Sequence, residues 1–159
     1  TVLPHALRRQ TRPVAALDYW GGTGVRGFIG REVFNAVLID RKTATPGRDA
    51  LSVVIDAVGA GASLIYFPEG TRNTTEEVLL PFKSGLFRLA KARPDIEIVP
   101  VWLDNIARVM PKGEFLPVPL LCSVTFGAPL LLQPDEDKAA FIARARDALL
   151  ALKPEERDR

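Results

Sequence analysis

The sequence predicts an α/β layered fold with a central, mostly parallel sheet flanked by helices. Three observations predict it. Short apolar runs at 36–40 (AVLID), 63–67 (SLIYF) and 96–103 (IEIVPVWL) have the length and composition of strands, the first of them buried. Segments with apolar residues three and four apart lie between and around them. The two kinds of segment alternate along the chain, as they do where crossover helices join parallel strands.

Taken in order, 13–17 reads as a short strand, 25–33 as a helix and 36–40 as a buried strand. Pro46 suits a first helical position, and Leu51, Val54, Ile55 and Val58 then repeat at helical spacing until Gly59 and Gly61 stop them. After the strand at 63–67, Phe82, Leu86, Phe87, Leu89 and Ala90 mark a helix that Pro94 ends. The strand at 96–103 contains Pro100, which predicts an edge or a bulge there. A strand at 121–126 follows. The last helix is expected to start near Asp135, with Glu136 and Asp137 at its positive end. Its apolar face is Phe141, Ile142, Ala145, Leu149 and Leu152, and Lys153 and Pro154 close it. Residues 1–153 read as a single domain and 154–159 as a charged tail.

Composition excludes several classes. The chain has 159 residues, 47% hydrophobic and 25% charged, a globular balance rather than a disordered one. Its single cysteine, Cys122, excludes a disulfide framework, and its single histidine, His5, excludes a multi-histidine metal site. Cys122, between Leu121 and Ser123, reads as core. The charge-free stretch 115–134 raises a membrane question, which Pro117, Pro119, Pro129 and Pro134 answer against a spanning helix. Residues 1–48 carry eight Lys/Arg against three Asp/Glu, a balance suited to an anionic partner. No recognition motif or interleaved aromatics point to nucleic acid.

Three clusters carry chemistry. Gly22-Thr23-Gly24-Val25-Arg26-Gly27 fits the dinucleotide fingerprint, with Asp40 placed as a ribose-binding acid. The spacing to Asp40 is short for a crossover helix, and the same glycines equally make a flexible turn. Phe67-Pro68-Glu69-Gly70-Thr71-Arg72 directly follows a strand, where α/β proteins place ligand-binding loops. Arg72 offers a fork matched to phosphate, and Glu69 could orient it. The residue types alone equally fit a turn with a surface ion pair. Asp40-Arg41-Lys42 follows another strand, and Lys83 stands where a helix begins. Together these cations suggest a phosphate pocket. Asn73-Thr74-Thr75 fits a glycosylation pattern and reads as chance.

At these residues the sequence resembles the glycerolipid acyltransferases, above all the 1-acyl-sn-glycerol-3-phosphate acyltransferases. FPEGTRN at 67–73 is similar to a family block that normally reads FPEGTRS. AVLIDR at 36–41 is similar to a block whose Arg closes a strand, and IVPV at 98–101 to a further block. FKSG at 82–85 and VTFGAP at 124–129 stand in the family's order. The likeness runs from about residue 3 to residue 132. The family's Asn-His, four residues, then Asp, which supplies the catalytic base, has no match. His5 follows Pro4, and Gln10 stands where the Asp belongs. The expectation is a chain that starts after that block and after any membrane anchor near it.

The resemblance implies a glycerol-3-phosphate acyltransferase-like fold and transfer of a fatty acyl group to lysophosphatidate, giving phosphatidate. The donor is acyl-CoA or acyl carrier protein, with no cofactor. Arg41 and Arg72 would clamp the acceptor phosphate, Glu69, Gly70 and Thr71 would shape its site, and Lys83 would assist. The partners implied are a lysophospholipid, an acyl thioester and a membrane surface, with a peripheral location on the cytoplasmic side. Two rivals stand beside this reading: transfer to another glycerolipid or glycolipid, and a non-catalytic lipid- or anion-binding remnant.

Overall fold

The structure is a computed structural model and describes residues 3–17, 35–39, 50–104 and 123–154. The chain divides into two compact units, residues 1–93 and 94–159. In chain order the described elements are α1 (His5–Gln10), β1 (Thr11–Ala16), β2 (Val37–Ile39), α2 (Ala50–Gly59) and β3 (Ser63–Ile65). Then come α3 (Gly85–Ala92), β4 (Val101–Leu103), β5 (Val124–Phe126) and α4 (Lys138–Leu150). The α/β class is as expected: a parallel sheet with helices packed against it. The helix expected at 25–33, the glycine run 22–27, Asp40-Arg41-Lys42 and Cys122 lie outside the described residues.

In the first unit the sheet order is β2-β1-β3, all parallel. The middle strand serves two ladders in succession. Thr11–Pro13 pair with Ser63–Ile65, and Val14–Ala16 pair with Val37–Ile39. Pro13, which has no N–H to donate, stands at the handover between them. The ladders are therefore staggered, with β3 ending beside Pro13 and β2 ending beside Ala16.

Helix α2 packs on β2 and α3, burying Val54 and Ala57, which are three residues apart. Helix α3 buries Leu86, Leu89 and Ala90, the i, i+3, i+4 stripe that the sequence pattern contains. It starts at Gly85 rather than at Phe82. The Lys83 N–H is already donated to the Pro68 carbonyl (2.8 Å), and the Tyr66 hydroxyl fills the space where a side chain at residue 85 would begin.

That contact gives a prediction. Gly85→Ala drives a methyl into the Tyr66 hydroxyl and should destabilise the fold by about 1–3 kcal/mol, despite alanine's better helix propensity. In a Tyr66→Phe background the next nearest ring atom, Cζ, lies at an ordinary 3.7 Å. The penalty should then fall to a few tenths of a kcal/mol at most, about the floor for a tolerated volume change. A double-mutant cycle by urea unfolding reads the coupling. Equal penalties in both backgrounds contradict the packing described.

In the second unit β4 and β5 pair antiparallel, with Val101 opposite Phe126 and Leu103 opposite Val124. Ile98 and Leu130 exchange two backbone hydrogen bonds of 2.9 and 2.8 Å just outside this ladder. The strand expected at 96–103 is thus broken at Val99 and Pro100, the proline that forecast an irregularity. The Pro100 carbonyl still accepts from the Gly127 N–H at 2.8 Å.

Helix α4 starts at Lys138, three residues later than Asp135. Asp135 has φ +60°, a left-handed conformation that cannot continue into a helix, and Asp137 caps instead, its Oδ1 accepting from the Ala140 N–H at 2.8 Å. Glu136 takes a two-point grip from Arg144: Nε to Oε1 at 2.8 Å and Nη2 to Oε2 at 2.6 Å. Those hydrogen bonds hold the Glu136 carboxyl below the usual carboxylate range. The Arg144 guanidinium also donates to the Leu131 carbonyl at 2.8 Å and stands 5.5 Å from the centre of the Phe141 ring. Phe141 is fully buried.

Candidate functional site

Between β3 and α3 the chain runs through residues 66–84 without helix or strand. Loops of this length in a compact unit are uncommon and are usually functional. The loop leaves from the carboxyl end of β3, where open parallel sheets bind ligands.

The loop has a defined shape at its root. The Gly70 N–H donates to the Phe67 carbonyl at 3.1 Å, closing a turn over 67–70. Gly70 has φ +67°, where a side chain costs about 1–2 kcal/mol. Glycine is therefore needed there twice over, because a Cβ would also stand 3.3 Å from Lys83 Cγ. The Lys83 stem thus lies across Gly70, and the structure brings together these two predicted site residues.

Glu69 is half-buried, and its Oε2 accepts the Leu80 N–H at 2.8 Å. The expected Glu69 role was to orient Arg72. The structure also shows this carboxylate tying the outgoing limb of the loop to the returning one. Leu79, buried beside that tie, anchors the returning limb. Thr71, Arg72 and Lys83 are exposed, and Phe67 is 57% exposed, so an apolar side chain stands at the edge of a polar, cationic turn. Tyr66, just before it, is partly buried, and burial raises its hydroxyl pKa.

Arg41 lies outside the described residues. What is on view is the strand it follows: β2 ends at Ile39, one strand removed from β3 across β1. Both β2 and β3 run parallel to β1, so β2 ends on the same edge of the sheet from which the 67–70 turn departs. His5 opens α1, which feeds β1 at its amino end.

Sequence reasoning missed Leu80 as the partner of Glu69 and missed Asn73 as a structural residue. Asn73 accepts at Oδ1 from both the N–H (2.9 Å) and the hydroxyl (2.8 Å) of Thr75. The Asn-x-Thr pattern was the available signal, since asparagine side chains commonly bond the backbone two residues on. Among the described residues no group of His, Cys, Asp and Glu gathers that could hold a metal ion. No described helix is long and apolar enough to cross a membrane.

An α/β domain with a parallel sheet and a long loop, bearing exposed cations, at the carboxyl end of one strand is the class that the fold defines. Residues 2–104 match the Acyltransferase family, and the chain belongs to that family. It is similar to a chloroplastic 1-acyl-sn-glycerol-3-phosphate acyltransferase of Brassica napus, 40% identical over 66 residues, 42% of this chain and 19% of that protein. The chloroplastic enzyme of the same name in Arabidopsis thaliana is 37% identical over 66 residues, covering 42% and 18%. That of Saccharomyces cerevisiae is 39% identical over 77 residues, covering 46% and 25%. The chain therefore matches about a fifth to a quarter of the length of these relatives. No solved structure matches it.

Proposed function

We propose that this chain carries the acceptor-binding part of a lysophosphatidate acyltransferase, and that Arg72 grips the acceptor phosphate. One observation supports this reading most: the 67–70 turn, with Arg72 just past it, follows the carboxyl end of β3, and the Lys83 stem lies across Gly70. Both cationic side chains are exposed there. Arg41, two residues past β2, supplies the second guanidinium on this reading. Family membership and the names of the relatives favour lysophosphatidate as acceptor. An acyl thioester of coenzyme A or of acyl carrier protein is the donor.

The chemistry asked of the site is modest. A general base takes the proton of the acceptor's free hydroxyl, that oxygen attacks the thioester carbonyl, and the thiol leaves. The cations hold the phosphate so that the hydroxyl meets the base. His5 is the only histidine in the sequence; it follows Pro4, and Gln10 stands where the family's Asp belongs. On this reading the 159-residue chain binds the acceptor and turns nothing over. The check is thiol release from an acyl-CoA in the presence of lysophosphatidate. No release above background is expected, and lysophosphatidate-dependent release contradicts this reading. The exposed Phe67 beside the cations favours work at a membrane surface, where the acceptor resides.

A further inference from the structure

Helix α3 follows directly on the candidate loop, and its charge is one-sided. From Val78 to Pro94 the sequence has four Lys/Arg and no Asp/Glu. Leu86, Leu89 and Ala90 are buried on one side of α3. Arg88 and Lys91, three residues apart, are exposed, and at 3.6 residues per turn they stand on the opposite side. Ser84, four residues before Arg88, is exposed on that same side. The exposed Lys83 carries the positive charge back to Gly70. α3 therefore buries an apolar face and turns outward a face that holds cations and no acid.

Exposed apolar side chains stand beside the start of that face. The Lys83 N–H is donated to the Pro68 carbonyl at 2.8 Å, which sets Phe67, 57% exposed, next to the lead-in to α3. Val78, 47% exposed, lies on the returning limb of the loop. Glu76 and Glu77 are exposed just before Val78, so the positive face is α3 and its lead-in, not the whole loop.

We propose that the outward face of α3 docks on an anionic lipid bilayer, with Arg88 and Lys91 against the headgroups and Phe67 at the hydrocarbon boundary. Cations without acids match a negatively charged surface. Exposed apolar side chains next to them match a hydrocarbon layer, which a soluble polyanion does not offer. The inference rests on the membrane reading given above, and not on the acceptor site, which Arg88 and Lys91 lie outside. It makes the charge of the bilayer, and not only its lipid character, a requirement for docking.

The test is co-sedimentation of the 159-residue chain with two kinds of vesicle, without lysophosphatidate. One is phosphatidylcholine alone, the other phosphatidylcholine mixed equally with phosphatidylglycerol. The parent should bind the mixed vesicles about tenfold more tightly, and added salt should release it. Arg88→Gln and Lys91→Gln should each weaken that binding about fivefold, the share of one cation near an anionic surface. Both side chains are exposed, so the fold tolerates the changes. Phe67→Ser should weaken the binding as well. Equal binding of the parent to both vesicles, no binding to either, or glutamine variants that bind like the parent each overturn the inference. Glutamine variants that lose affinity for coenzyme A but not for the mixed vesicles assign the face to a soluble polyanion and overturn it too. A parent that docks on the mixed vesicles but does not bind soluble lysophosphatidate overturns the acceptor site alone and supports the docking face.

Discussion

Phe141→Ala is expected to lower the unfolding free energy by about 3–5 kcal/mol, the range for emptying a fully buried phenylalanine site. Phe141 is the largest side chain among the described residues with no exposed surface. Its burial is not replaceable from nearby, because its neighbour on the same helix face, Ala145, is already buried and small. Truncation also removes the ring that stands beside the Arg144 guanidinium. A domain of this size has only about 5–15 kcal/mol of stability, so the loss is a large share of it. Urea unfolding measures it: the midpoint should fall sharply with an unchanged slope. Phe141→Leu should cost much less, under about 1.5 kcal/mol, because most of the volume stays. An alanine variant as stable as the parent contradicts the placing of Phe141 at the core of the second unit.

Arg72→Ala carries the largest functional effect. A charge-assisted pair between a guanidinium and a phosphate contributes about 1.5–3 kcal/mol, which is a tenfold or greater loss of affinity when removed. Arg72 is exposed just past the 67–70 turn, so truncating it opens no cavity and the fold should tolerate it. That separates binding from stability: the unfolding midpoint should hardly move while lysophosphatidate affinity falls. Arg72→Lys should be intermediate, since an ammonium keeps the charge but loses the two-point fork. An alanine variant that binds like the parent removes Arg72 from the site.

Much of this was legible in the residues. The runs at 36–40 and 63–67 became β2 and β3, whose Val37, Ile39 and Ile65 are β-branched residues suited to a pleated strand, although Ile65 is exposed. The Leu86, Leu89, Ala90 stripe became the buried face of α3 for the reason its spacing suggests. Boundaries were less legible where tertiary contacts overrode local pattern. The Lys83 N–H had a partner fifteen residues back, and Tyr66 occupied the space beside Gly85, so α3 starts late. Asp135 was taken up by a left-handed turn, so α4 waits for the Asp137 cap. In the site, the motif 67–72 gave the turn and its glycine. It could not give the Glu69–Leu80 tie, because that bond joins positions eleven apart through a loop with no periodicity.

The most direct test of phosphate recognition at the carboxyl end of β3 compares two ligands on two proteins. Soluble lysophosphatidate and the monoacylglycerol of the same chain length are titrated into the parent chain and into Arg72→Ala. The parent should prefer the phosphate-bearing lipid by tenfold or more, the scale of one charge-assisted contact, and the variant should lose that preference. Equal affinity of the parent for both lipids, or a preference that survives in Arg72→Ala, contradicts a headgroup site built on this turn.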